Sequence, residues 1–101
     1  MHKKRPMQTI NTRGDRFRTA YHNARRALRL GPGRYDRVLL LAARRLVVED
    51  AFEQGHVPLC QANNFECTRC GRSGSIVEEP PNEFGTMQFI VTGTITTEVC
   101  S

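Results

Sequence analysis

Two cysteines two residues apart, Cys67 and Cys70 in the stretch "FECTRCG", constrain this chain more than any other feature. The spacing lets both thiolates turn to one side, and Gly71 permits the tight backbone reversal after the second. Two thiolates fill only half of a tetrahedral site, so the rest of the chain must supply two more donors. Cys100, at the end of "TITTEVC", offers a third. The fourth has two candidates upstream. Cys60, seven residues before Cys67, would give an all-cysteine site; His56, eleven residues before it, would give three cysteines and one histidine. Residues 56, 58 and 60 share one face of a strand, so periodicity leaves both open.

The size of the chain makes such a staple useful. With 101 residues and 11.5 kDa it buries a thin core, and small folds often need a metal or another cross-link. The basic N-terminus, "MHKKRPMQ", leads into no apolar run, which argues against a secretory signal. The four cysteines are then expected to be reduced, in a cytoplasmic setting that favours metal over disulfides. No run approaches 18 apolar residues, so no membrane span is expected.

Charge divides the chain. Residues 1–48 hold 13 Lys and Arg against Asp15 and Asp36, a net +11, whereas residues 49–101 hold Arg69 and Arg72 against eight acids, a net −6. Such asymmetry points to an anionic partner for the first half. The halves must partly attract one another, but 13 cations are too many for eight acids to neutralise.

The basic half reads as helical. Phe17, Tyr21, Ala24 and Leu28 follow i, i+4, i+7, i+11 and make one stripe. Arg18, His22, Arg25 and Arg29 make a second, about 100° round the helix from the first. Thr12 or Asp15 could cap the start, and "GPG" at 31–33 ends the helix near residue 30. A second helix is predicted from about 34 to 54. Tyr35, Leu39, Ala42 and Leu46 form one stripe, Leu40, Val47 and Ala51 another, and Leu41, Val48 and Phe52 a third. So many apolar faces make it the central beam of the fold. Phe17, Tyr21, Leu28, Leu39, Leu46 and Val48 are expected in one core. Arg44 and Arg45 are expected to pair with local acids such as Glu49. A helix-turn-helix reader is disfavoured: the second helix is too apolar for a major groove, and a supporting third helix is missing.

From Gly55 onward short β-rich runs appear: "HVPLC", "FEC", "SIV", "MQFIVT" and "TITTEVC". The acidic "EEPPNEFG" at 78–85 reads as an exposed loop. The expected fold class is α+β: a basic helical hairpin with an N-terminal arm over residues 1–54, packed on a small antiparallel, zinc-stapled β module over residues 55–101.

The pattern of Gly55, His56, Cys67, Cys70, Gly71, Gly93 and Cys100 resembles small zinc-ribbon-like proteins of phages and mobile elements. In these a Gly-His pair precedes a CxxCG knuckle and a lone cysteine lies near the C-terminus. The resemblance covers the last 47 residues and implies one structural zinc. Two departures stand out: a standard ribbon has a second CxxC where this chain has Cys100 alone, and Cys60 is additional.

Other chemistries fit less well. A thioredoxin-like CxxC wants a βαβ setting, which is missing. An iron–sulfur site would also accept four thiolates. The zinc-deaminase signature fails, because His56 is followed by Val57 and Pro58, and Glu66 precedes Cys67. With four or five candidate ligands the site is expected to be closed, hence structural, and no enzyme is expected. Two functions remain. One is a non-enzymatic zinc protein that binds DNA or RNA through Lys3, Lys4, Arg5, Arg18, Arg25, Arg26 and Arg29, as a regulator or component of a phage or mobile-element nucleoprotein. The other is an inhibitor, adaptor or assembly subunit docking on a larger protein or ribonucleoprotein complex.

Overall fold

The computed structural model describes residues 7–28, 35–80, 83 and 88–101. Its elements are β1 (Met7–Thr9), α1 (Asp15–Leu28), α2 (Tyr35–Glu53), β2 (Pro58–Gln61), β3 (Asn64–Cys67), β4 (Ser73–Glu79) and β5 (Gln88–Gly93). The chain is α+β, with two helices and one antiparallel five-stranded sheet in the order β1-β5-β4-β3-β2. No helix among the described residues is long and apolar enough to cross a membrane.

The helices form where the apolar stripes lie. In α1, Phe17, Ala20 and Ala24 are buried and Tyr21 is half-buried. Asp15 in the first turn and Arg25 and Arg26 in the last suit the helix dipole. The cap is neither Thr12 nor Asp15. Arg13 N–H donates to Asn11 Oδ1 at 3.1 Å in an Asx turn, and the Gly14 carbonyl accepts the first helical bond from Arg18 N–H at 3.1 Å. Leu28 is 36% exposed rather than in the core. The "GPG" link, Arg29 and the Lys3–Lys4–Arg5 arm lie outside the described residues.

α2 is the beam. Val38, Ala42, Ala43, Leu46, Val47 and Ala51 are buried, and the helix packs against α1, β2 and β5. Its third stripe is less covered: Leu41 and Val48 are half-buried and Phe52 is exposed. Glu49 and Asp50 receive Arg16 of α1, at 3.2 and 2.9 Å, instead of Arg44 or Arg45. Arg44 instead donates to Asn63 Oδ1, at 2.9 Å.

The sheet turns one face to the helices. Phe65 and Cys67 on β3, Ile76 on β4, and Phe89 and Val91 on β5 are buried in the same cluster as Phe17, Leu46 and Val47. β1 was not expected. Met7, Gln8 and Thr9 pair with Thr92, Val91 and Ile90, so the chain begins its described part as an edge strand.

"TITTEVC" is not a strand either. Residues Thr94–Glu98 turn, with Thr97 and Glu98 N–H donating to the Thr94 carbonyl at 3.2 and 3.0 Å. Gly93 explains why the strand stops. It sits at φ 90°, and a Cβ there would lie 2.3 Å from the Ser73 carbonyl oxygen, so only glycine lets β5 cross this close to β4. The turn then sends the chain back towards the end of α2.

Candidate metal centre

The site is assembled from three chain segments, beginning at the C-terminus of α2. Gly55, at φ 81°, ends the helix in a Schellman motif: its N–H donates to the Phe52 carbonyl and His56 N–H to the Ala51 carbonyl, both at 2.9 Å. That motif fixes where His56 leaves the helix and buries it to 1% exposure. The ring is held from its far side. Nε2 lies 2.6 Å from the Glu98 carbonyl oxygen, which can only accept, so Nε2 carries the proton. The Nδ1 lone pair is therefore free, and it faces Cys70 Sγ at 3.4 Å.

The knuckle follows β3. Cys67 N–H donates to the Arg72 carbonyl at 2.7 Å and Gly71 N–H to the Cys67 carbonyl at 2.9 Å, closing the loop around Cys70. Arg69 N–H points at Cys67 Sγ, 3.4 Å away. Thr68 N–H donates to the Val57 carbonyl at 3.0 Å, clipping the knuckle beside His56. The last donor arrives with the C-terminal turn. Cys100 N–H donates to the Gln54 carbonyl at 2.8 Å, so the end of α2 positions both His56 and Cys100. Arg72 braces this turn through Glu98 and Thr94 Oγ1.

One ligand atom each from His56, Cys67, Cys70 and Cys100 lies within 4.8 Å of all the others. Two of the six separations can be set against tetrahedral geometry. Thiolate bonds of about 2.3 Å at the tetrahedral angle put two sulfurs about 3.8 Å apart, and an imidazole bond of about 2.0–2.1 Å puts its nitrogen about 3.6 Å from a sulfur. Cys67 and Cys100 Sγ are 3.8 Å apart, and His56 Nδ1 to Cys70 Sγ is 3.4 Å. A disulfide would need about 2.05 Å, and all four cysteines are free. Three sulfurs and one imidazole are a soft donor set that suits zinc-like ions and not calcium or magnesium.

The thiols are not equivalent. Burial alone would raise Cys67, but the backbone amides of Cys70, Val57 and Arg69 and the His56 ring outweigh it and bring its pKa down to about 5. Cys100 goes the other way, pushed up to about 11 by burial and by the neighbouring Cys70 and Cys67 sulfurs. The fold thus favours the thiolate at Cys67 and the thiol at Cys100, whose deprotonation a bound cation would promote.

Cys60 stands outside this group. It is exposed and its thiol donates to the Ala62 carbonyl at 3.3 Å. The register explains why. Cys67 pairs with Pro58, so Cys60 sits two residues further along β2, about 7 Å away at strand rise, towards the hairpin turn. The remaining donors come from the other end of the strand.

Of the cations singled out for nucleic acid, Arg18 and Arg26 are exposed on α1 and Arg25 is half-buried; Lys3, Lys4, Arg5 and Arg29 lie outside the described residues. The Glu98 carbonyl and Arg72 are the parts of the site that sequence reasoning missed. A backbone oxygen leaves no mark in a sequence, and Arg72 was visible only as one of two cations in an acidic half. No protein-family model, curated protein or solved structure matches this chain.

Proposed function

We propose that His56 Nδ1 and the sulfurs of Cys67, Cys70 and Cys100 hold one structural zinc ion, and that the chain is a non-enzymatic nucleic-acid-binding protein. The carrying observation is the four-donor cluster, all within 4.8 Å of one another, with the Cys67–Cys100 and His56–Cys70 separations close to those of tetrahedral coordination. Four protein donors leave no open position for a water or substrate, which supports a structural role. The ion would tie the end of α2, the β3 knuckle and the C-terminal turn at one point. Structural zinc supplies about 10–16 kcal/mol of apparent binding energy, ample to hold so small a sheet.

The nucleic-acid reading rests on the outer flank of α1. Arg18 and Arg26 are exposed there and pair with no described acid, while the nearby acids Glu49 and Asp50 are engaged by Arg16. Together with the half-buried Arg25 they offer cations suited to phosphate oxygens of DNA or RNA, and the sequence adds Lys3, Lys4, Arg5 and Arg29, which lie outside the described residues. Such contacts position without reading bases, so the binding is nearly independent of sequence. The resemblance of residues 55–101 to zinc-ribbon-like proteins supports a place in a phage or mobile-element nucleoprotein. The test is fluorescence anisotropy of the zinc-loaded chain with a mixed-sequence DNA duplex and an RNA hairpin across a salt series. Binding that weakens steeply with salt and varies little with sequence supports the reading; no binding at roughly 50 mM salt, where phosphate contacts are strong, overturns it.

A further inference from the structure

The seam between α1 and α2 carries a surface that the metal centre and the cationic flank leave unused. On it lies a groove of 390 Å³ lined by Ala24, Ala27 and Leu28 of α1 and Leu41 and Val48 of α2. Leu28 is 36% exposed, Ala27 is exposed, and Leu41 and Val48 are half-buried. The groove continues along the seam into a second hollow of 270 Å³ that shares Arg45 and Glu49 with it and reaches Thr19 on α1. From Thr19 to Leu28 is about 13 Å of helix, two and a half turns.

The charge on the rim selects the occupant. Arg44 and Arg45 both line the groove, and among the described residues neither pairs with a carboxylate. Glu49, the one acid in the lining, is taken by Arg16. Arg44 is the more telling. Its side chain is partly buried, its only described partner is the neutral Asn63, and its Nε is buried with no partner at all. A partly buried guanidinium with no described counter-charge is well placed to receive a carboxylate brought by a partner. The floor is apolar, which suits an apolar side-chain stripe beside the carboxylates better than a phosphate backbone.

We infer that this groove docks an acidic amphipathic helix of a partner protein, its apolar stripe seated on Ala27, Leu28, Leu41 and Val48 and its carboxylates on Arg44 and Arg45. This is the helix-in-groove mode, read by apolar anchors at i, i+3 or i+4, and i+7. The inference is independent of the nucleic-acid reading, which uses Arg18 and Arg26 on the outer flank of α1.

The probes are two peptides of about 15 residues, long enough to populate a helix. Both carry leucine at the anchor positions; one has glutamate on its polar face and the other lysine. Each is titrated into the full chain, as purified with its metal, while backbone amide NMR shifts are followed. The glutamate peptide is expected to saturate, to shift Ala27, Leu28, Leu41 and Val48, and to bind at least about tenfold tighter than the lysine peptide. Val48→Glu should abolish that binding, and Arg45→Glu should reverse the preference between the peptides, with unchanged melting midpoints. Restoration of binding by the lysine peptide in the Arg45→Glu variant keeps the proposal testable should Val48→Glu unfold the chain. Equal affinity for both peptides, shifts centred on Arg18 and Arg26, or no saturation at roughly 1 mM peptide overturns the proposal. So does self-association of the free chain that produces the same shifts, which would put a second copy in the groove.

Discussion

The imidazole of His56 is gripped at both ends, by the Glu98 carbonyl at Nε2 and by the sulfur cluster at Nδ1, and its backbone is fixed by the end of α2. Cys60 has none of this, and its thiol bonds only the turn beside it. His56→Ala is therefore expected to release zinc, whereas Cys60→Ser retains it; equal retention by both variants, read by elemental analysis, would contradict the assignment. The thiols also predict a proton count. Backbone amides and the His56 ring lower the Cys67 pKa, while burial and the neighbouring sulfurs raise that of Cys100, so Cys100 is the thiol that holds its proton longer. Zinc loading should expel the Cys100 proton, and Cys100→Ser should lower the number released by one. Calorimetry in two buffers of different ionisation enthalpy measures this number, and a count indifferent to Cys100 would refute the ordering. The sequence left His56 and Cys60 as alternatives because both would share one face if residues 56–60 formed a strand, whereas β2 begins only at Pro58. The choice is made by a helix cap and by a turn more than forty residues away.

The helices were the most legible elements. Their stripes place Phe17 and Leu46 in the core and Arg18 outside it, while Tyr21, Leu39 and Val48 are only half-buried and Leu28 is exposed. Ion pairs were less legible. Nearness in sequence suggested Arg44 or Arg45 for Glu49, but Arg16 reaches it across the helix interface. One strand was missed and one β assignment failed, for separate reasons. β1 is three residues long and stands in a basic stretch without an alternating apolar pattern, so its pairing with β5 has no local signature. "TITTEVC" has strand composition, yet the close crossing at Gly93 turns the chain instead. Gly93→Ala should therefore lower the melting midpoint well beyond an ordinary surface change, since both φ and the Ser73 carbonyl oppose a side chain. Leu46→Ala on α2 should cost about 2–5 kcal/mol, the range for truncating a buried leucine. An unmoved denaturation midpoint in that variant would deny α2 its central place.

In the molecule as a whole, the groups that hold the fold together are separate from the surfaces it presents. The candidate metal centre lies where α2, the β3 knuckle and the C-terminal turn meet, while Arg18 and Arg26 of α1 are exposed and the groove opens at the seam between the helices. Loss of zinc should then disturb the sheet end first and weaken nucleic-acid binding only through unfolding. If about five phosphates are neutralised on duplex DNA, log K should fall against log salt with a slope of roughly −4 to −5. Arg18→Ala with Arg26→Ala should flatten it by roughly 2 and weaken all sequences alike; an unchanged slope in a folded double variant would remove this surface from consideration. Beneath these predictions lies one claim, that His56, Cys67, Cys70 and Cys100 hold a single zinc. X-ray absorption at the zinc edge, on protein purified without chelator, tests it most directly. The expected result is one zinc per chain with three sulfurs at about 2.3 Å and one nitrogen at about 2.0–2.1 Å. Four sulfurs would bring Cys60 into the site, and a chain without zinc, or zinc among oxygens, would contradict the account outright.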